Sequence, residues 1–146
     1  MLDAVTLTNT NTNTNTKRKA MTMDTMTVAN RLVELTTADN DAQALDELYA
    51  EDVVSIEAGT PEGEPQTFTG LAAVREKHAW WNSVATLHDT TAEGPYAGTG
   101  SDQFVVKFWM DVTMAEQGRS QMTEVGVFTV ADGKIVREVY LPLLGG

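Results

Sequence analysis

The side chains of this sequence that could carry chemistry are carboxylates and two histidines. The 146 residues include 21 aspartates and glutamates, His78 and His88, and no cysteine, which excludes disulfides, thiolate metal sites and a cysteine nucleophile. The sequence contains no His-Glu-x-x-His zinc motif, no glycine-rich phosphate loop and no Gly-x-Ser-x-Gly elbow. We therefore expect either chemistry without a cofactor or metal, or simple binding.

Four side chains, three of them ionisable and one a tryptophan, stand out by their positions, and each has a structural alternative. His78 lies on the apolar stripe of a predicted helix, where a histidine is either a satisfied core residue or a pocket group. Trp81 shares that stripe and is either a core residue or a pocket wall. Glu57 ends a short predicted strand, where it is a solvated edge residue, a salt-bridge partner or a functional carboxylate. His88 lies on a strand whose phase the sequence leaves open.

The helices that would position these residues follow a polar N-terminal segment. Residues 1–23 contain an alternating Thr/Asn tract and predict a disordered tail ahead of one domain at residues 24–142. Apolar residues at helical spacing between 28 and 35 predict a first helix. Asn40 and Gln43 resemble a capping box, which predicts the start of a short second helix.

The remaining pattern is mostly that of strands. Residues 53–57 predict a strand, a third helix follows Gly70, and the rest of the chain predicts long extended segments separated by turns. In the clearest of these, residues 103–113, Phe104 and Phe108 fall on one buried face. Helices that cover one side of a curved sheet form an α+β fold, so this face would be both core and pocket wall.

Charge and surface pattern limit the partners. The formal net charge of −11 opposes approach to a nucleic acid or an anionic membrane surface. No stretch approaches the roughly 20 apolar residues of a membrane span, so we expect a cytoplasmic protein without nucleic-acid or membrane partners. Val105 and Trp109 are apolar on the face opposite Phe104, which predicts a homodimer through the convex side of the sheet.

Three motifs in this order resemble the SnoaL-like branch of the nuclear transport factor two-like superfamily. They are Leu48-Tyr49-Ala50-Glu51-Asp52, Gly70-Leu71-Ala72-Ala73-Val74-Arg75-Glu76 and Asp132-Gly133-Lys134-Ile135. The resemblance covers roughly residues 26 to 142. It implies a cystatin-like α+β barrel: a cone-shaped, curved mixed sheet around an internal pocket for a small hydrophobic molecule, with three helices in the N-terminal half.

The resemblance also implies a reaction. Ketosteroid isomerases and SnoaL-like cyclases use an acid–base pair inside the cone to move a proton next to a carbonyl. The first motif aligns Glu57 with the proton-abstracting aspartate of the isomerases, and the second aligns His78 with a pocket tyrosine. The resemblance thus implies Glu57 as the base and His78 as the acid or proton relay.

The oxyanion donors of the isomerases have no equivalents at the aligned positions. These positions fall near Leu32 and at Val125, and Glu124 is expected to point to the opposite face because it lies one residue away. Glu138 and Tyr140, on the pocket-lining face implied for the last hairpin, are the substitute polar candidates. Two hypotheses follow: an acid–base isomerase, cyclase or dehydratase, or a non-catalytic ligand-binding or dimerisation module.

Overall fold

The chain forms three helices and six strands in the part that the structure describes. A computed structural model describes residues 24–60 and 63–144, so the predicted tail at residues 1–23 lies outside the described residues. The helices are α1 (24–37), α2 (Asp41–Leu48) and α3 (Leu71–Val84). The strands are β1 (Tyr49–Glu57), β2 (Gln66–Thr69), β3 (Ala85–Ala97), β4 (Gln103–Met114), β5 (Gly118–Ala131) and β6 (Lys134–Pro142).

The six strands form one mixed sheet in the order β2-β1-β6-β5-β4-β3. β1 runs parallel to β6, and the other neighbouring strands are antiparallel. The predicted α+β class is confirmed. The sheet is open rather than closed, because β2 and β3 form its two edges.

The helices cover one face of the sheet, which we call the inner face. Side chains of directly opposed residues share a face, so the strand register defines this face as three rows. The first row is Ser55, Glu138, Phe128 and Phe104. The second row is Glu57, Tyr140, Gly126 and Val106. The third row is Pro142, Glu124, Phe108 and Ala92. The buried apolar side chains of α1 and α2 pack with these rows in one core cluster.

Two local details position the helices and the inner face. Asn40 does cap α2, but its side chain makes no capping hydrogen bond; its Nδ2 instead donates to Gln43 Oε1 at 2.7 Å. The predicted capping box is therefore not formed.

At Gly126 a Cβ atom would lie 2.6 Å from the ring of Phe128 and 3.3 Å from that of Tyr140. Only glycine lets these two rings meet over β5, with their centroids 5.9 Å apart.

None of the helices in residues 24–60 and 63–144 is long and apolar enough to cross a bilayer.

Candidate functional site

A buried carboxylate, Glu138, lies at the centre of the inner face. Its side chain is 0% exposed. It accepts hydrogen bonds from the hydroxyls of Tyr49, Ser55 at 2.8 Å and Tyr140 at 2.9 Å. Burial and the nearby carboxylate raise the pKa of both tyrosines well above 10, so both remain donors. This carboxylate is fully satisfied by hydroxyl groups from β1 and β6.

Lys77 of α3 connects this centre to Glu57. Its Nζ donates to Ser55 Oγ at 2.7 Å and to Glu57 Oε1 at 2.9 Å, and lies 3.7 Å from Glu138 Oε1. The Lys77 side chain is only 12% exposed, and its Nζ also lies 5.0 Å from the centroid of the Tyr140 ring. The single ammonium therefore sits among two carboxylates, a hydroxyl and a ring face.

Glu124 is a carboxylate of the inner face with no hydrogen bond or ion pair to any residue of the described chain. It lies directly opposite Phe108, and its side chain is partly buried. Burial raises the pKa of Glu124 to about 7, the carboxylate of Glu57 adds to this rise, and Lys77 opposes it. A pKa of about 7 leaves the Glu124 carboxyl partly protonated near neutral pH.

The position of Glu124 corrects the expectation from the sequence. Val125, which the resemblance aligned with the isomerases' protonated acid, lies opposite Lys107 on the outer face. The alternation along β5 therefore brings Glu124, and not its neighbour, to the inner face. The expectation that Glu124 points to the opposite face was wrong, because the resemblance fixes the order of the strands but not their register.

His78 and Asp41 face a cavity between the helices and the sheet. The cavity has a volume of about 40 Å³ and is bounded by α1, α2, α3, β1 and β6. His78 Nδ1 lies 3.9 Å from Asp41 Oδ2. Partial burial raises the pKa of Asp41 to about 6, with further contributions from Asp39 and Glu138. Burial lowers the pKa of His78, so the imidazole is neutral at pH 7.

The two residues implied as an acid–base pair therefore contact different partners. Glu57 forms an ion pair with Lys77, whereas the charged neighbour of His78 is Asp41. Both lie on the helix-covered side of the sheet, but no hydrogen bond or ion pair joins one to the other in the described chain. Their implied roles as base and acid stay predictions.

The other predicted site residues divide between the two sides of the sheet. Phe104 and Phe108 are buried on the inner face, and Glu138 and Tyr140 lie on the same face. Trp81 is half-buried on α3. His88 is exposed, and its Nε2 lies 2.7 Å from Thr113 Oγ1. The structure does not bring His88 to the inner face.

Sequence reasoning missed Lys77, Ser55, Tyr49 and Asp41 as members of these clusters. Ser55 and Glu57 are two residues apart on a strand, so their shared face could have been predicted from the alternation alone. Lys77 follows Val74 by three residues on α3, a spacing that places both on one side of the helix. Nothing local in the sequence indicates the contact between Tyr49 and Glu138, which lie 89 residues apart.

No three His, Asp or Glu side chains converge to hold a metal ion among the residues that the structure describes.

The chain belongs to the SnoaL-like domain family, which its sequence matches over residues 23–141. A proposed SnoaL-like polyketide cyclase from Mesorhizobium loti is 35% identical, with 80% of this chain and 97% of that chain covered and a TM-score of 0.71. The family predicted from the three motifs is thus confirmed. Comparison with curated protein sequences gave no match.

More distant structures share the fold. A proposed isomerase from Bacillus subtilis is 20% identical, covers 84% of this chain and 88% of its own, and has a TM-score of 0.69. A phenazine biosynthesis-related protein from Pseudomonas aeruginosa is 15% identical, covers 86% of this chain and 84% of its own, and has a TM-score of 0.66. At these identities the similarity is one of fold alone.

Proposed function

We propose that the inner face binds a small hydrophobic molecule and that Glu124 acts there as a general base on a carbonyl compound. This is the chemistry of a cofactor-independent isomerase, cyclase or dehydratase. The observation that carries the proposal is an unpaired carboxyl beside Phe108 whose pKa is raised to about 7. A base with a pKa near the working pH combines a useful ionised fraction with a useful proton affinity.

The proposed step needs no co-reactant. The ionised Glu124 carboxylate takes a proton from the carbon next to the carbonyl, and the C–H electron pair forms an enolate with its charge on the oxygen. If the protonated carboxyl exchanges its proton with solvent and then protonates the same carbon, the result is hydrogen exchange; if it protonates another carbon of the enolate system, the result is isomerisation. Glu57, the base implied by the resemblance, is another carboxylate of the face, but its Oε1 accepts a hydrogen bond from Lys77.

A relative supports this class of chemistry. The structure at 35% identity is described as a proposed SnoaL-like polyketide cyclase. That description concerns the other protein. It supports the present proposal because the two chains share both sequence and fold, and this chain has a partly buried carboxyl on the helix-covered face.

Hydrogen exchange next to a carbonyl tests the proposal without knowledge of the natural substrate. The protein is incubated with 2-tetralone in D₂O, and deuterium incorporation is followed by NMR against protein-free buffer. We expect acceleration by the wild type, and a loss of about a hundredfold or more of it in Glu124→Gln. Glu116→Gln, which changes an exposed carboxylate in the turn between β4 and β5, is the matched control and keeps the wild-type rate.

Two further results would contradict the proposal or redirect it. Equal exchange in Glu124→Gln and wild type would remove Glu124 from the reaction. Loss of exchange only in Glu57→Gln would return the role of base to Glu57, as the resemblance implies.

A second candidate function is binding without turnover, and the hydrogen-bond donors of the inner face favour it. The hydroxyls of Tyr49, Ser55 and Tyr140 all donate to Glu138. The ammonium of Lys77 is held by Ser55 and Glu57. Stabilising an enolate oxygen would require one of these donors to leave a carboxylate or hydroxyl partner. Ligand binding without any exchange would select this second function.

A further inference from the structure

We infer that Lys77 stabilises the enolate of the proposed reaction, by exchanging its hydrogen bond to Glu57 for one to the enolate oxygen. This inference rests on the proposed function, to which it adds a second catalytic residue. The base takes the proton, and a separate donor must meet the negative charge that moves to the oxygen. Three observations support Lys77 as this donor: its charge acts on Glu124, its partner Glu57 is partly exposed, and the hydroxyl donors of the face are all used on Glu138.

The ammonium of Lys77 lies within electrostatic reach of the proposed base. Burial raises the pKa of Glu124, Glu57 and Glu138 raise it further, and Lys77 opposes them. The Lys77 side chain is only 12% exposed, so water screens its charge less than that of a surface lysine. Negative charge that develops beside Glu124 therefore lies in the field of this one ammonium.

The partners of Lys77 differ in how readily each can be given up. Ser55 and Glu138 are 0% exposed, so water cannot take the place of Lys77 beside them. The Glu57 side chain is 31% exposed, so water can solvate its carboxylate when the ammonium leaves. Nζ can leave Glu57 Oε1 while it keeps its hydrogen bond of 2.7 Å to Ser55 Oγ. Glu57 is thus the partner that an enolate oxygen replaces at least cost.

The hydroxyl donors of the inner face are less suited to this role. Those of Tyr49, Ser55 and Tyr140 all donate to Glu138. Turning one of them towards a ligand would remove a hydrogen bond from a fully buried carboxylate, which is costly. Lys77 makes no hydrogen bond to Glu138, because its Nζ lies 3.7 Å from Oε1. Lys77 is therefore the donor that can be released while Glu138 keeps all its hydrogen bonds.

The exchange of partners follows the movement of charge in the reaction. The C–H bond breaks, Glu124 forms an O–H bond, and the electron pair of the broken bond leaves the negative charge on the enolate oxygen. Lys77 keeps all its protons and moves one hydrogen bond from Glu57 to that oxygen. The released Glu57 carboxylate then opposes ionisation of Glu124 more strongly, in addition to the effect of burial, so the base retains the proton that it has taken.

An enolate mimic tests the inference apart from the reaction itself. 2-Naphthol resembles the enol of 2-tetralone, and its anion resembles the enolate. The affinities of the two forms are obtained from absorbance titrations of 2-naphthol against pH with and without protein. We expect the wild type to bind the anion about tenfold more tightly than the neutral form. Lys77→Gln should abolish this preference and lose about a hundredfold of the exchange rate with 2-tetralone.

Three further variants separate a catalytic role of Lys77 from a structural one. Lys77→Arg, which keeps a cation with N–H donors, should restore part of the preference for the anion. Lys107→Gln, which changes an exposed lysine opposite Val125 on the outer face, is the matched control and keeps the whole preference. Glu57→Gln removes the competing charge, so the preference should rise severalfold, and the same change in Lys77→Gln should not produce this rise.

The outcomes distinguish the inference from the proposed function. A folded Lys77→Gln protein with wild-type exchange and a wild-type preference for the anion overturns the inference and leaves Glu124 as the base. Loss of exchange with the preference retained also overturns it, because Lys77 then serves only the fold. If Lys77→Gln does not fold, Glu57→Gln decides, and an unchanged preference there overturns the inference. A wild type that neither accelerates exchange nor binds 2-naphthol overturns the proposed function, and the inference with it.

Discussion

Replacement of Glu124 by glutamine should make the stability of this protein less sensitive to pH. The variant keeps the size and the polar character of the side chain but cannot ionise. In the wild type the folded state holds a proton on Glu124 up to a pKa of about 7, whereas the unfolded chain releases it near the ordinary value of 4.5. The wild type therefore loses stability as the pH rises from about 4.5 to about 7.

The size of this loss follows from the shift in pKa. A rise from 4.5 to about 7 corresponds to about 3 kcal/mol, at about 1.4 kcal/mol for each pKa unit. Water that reaches the partly exposed carboxyl reduces the effect, and we expect about 1–2 kcal/mol. Asp41 also titrates in this range. It does so in both the wild type and the variant, so its contribution cancels in the difference between their free energies of unfolding.

Urea denaturation followed by the fluorescence of the three tryptophans measures this difference. Near pH 5 the free energies of unfolding of Glu124→Gln and wild type should be similar. Near pH 8 the variant should be more stable by about 1–2 kcal/mol. The exposed control Glu116→Gln should show no such change. If the difference in the free energy of unfolding between Glu124→Gln and wild type stays constant from pH 5 to pH 8, or reverses in sign, then burial does not raise the pKa of Glu124.

Three other substitutions test the architecture. Lys77→Met should lower the free energy of unfolding by about 3 kcal/mol, because two carboxylates lose their shared cation; an unchanged urea midpoint would contradict this. Gly126→Ala should lower the free energy of unfolding by about 1–3 kcal/mol, because the added Cβ clashes with the ring of Phe128. Gly98→Ala, at a position with room for a Cβ, should leave the free energy of unfolding nearly unchanged in the same assay. Val105→Glu should convert a homodimer to a monomer in sedimentation, and a wild type that is monomeric at micromolar concentration would argue against the predicted dimer.

The parts of the fold that depend on local pattern could be predicted from the sequence. The helical spacing between residues 28 and 35 corresponds to α1, whose Val28, Leu32 and Leu35 are buried. Asp132 and Gly133 turn the last hairpin with φ values of 52° and 74°, as the Asp-Gly signal indicates. Periodicity and turn chemistry act over a few residues, so they can be read without the tertiary structure.

The candidate site could be predicted only in part, because its contacts are non-local. Glu57, Glu138 and Tyr140 could be named from the resemblance, and the register does place them in neighbouring rows. The ammonium of Lys77 reaches Glu57 only because of the way in which α3 crosses β1, which no sequence spacing specifies. The side of the sheet on which Glu124 lies depends on a register that a shift of one residue would reverse.

The measurement that tests the central claim most directly is a titration of the Glu124 carboxyl itself. Carbon-13 NMR of the side-chain carboxyls, assigned by comparison with Glu124→Gln, gives this pKa in the wild-type protein. An apparent pKa of about 7 is the predicted result. A pKa near the ordinary value of 4.5 would contradict the account, because Glu124 would then be a solvated carboxylate and not a base poised near neutral pH.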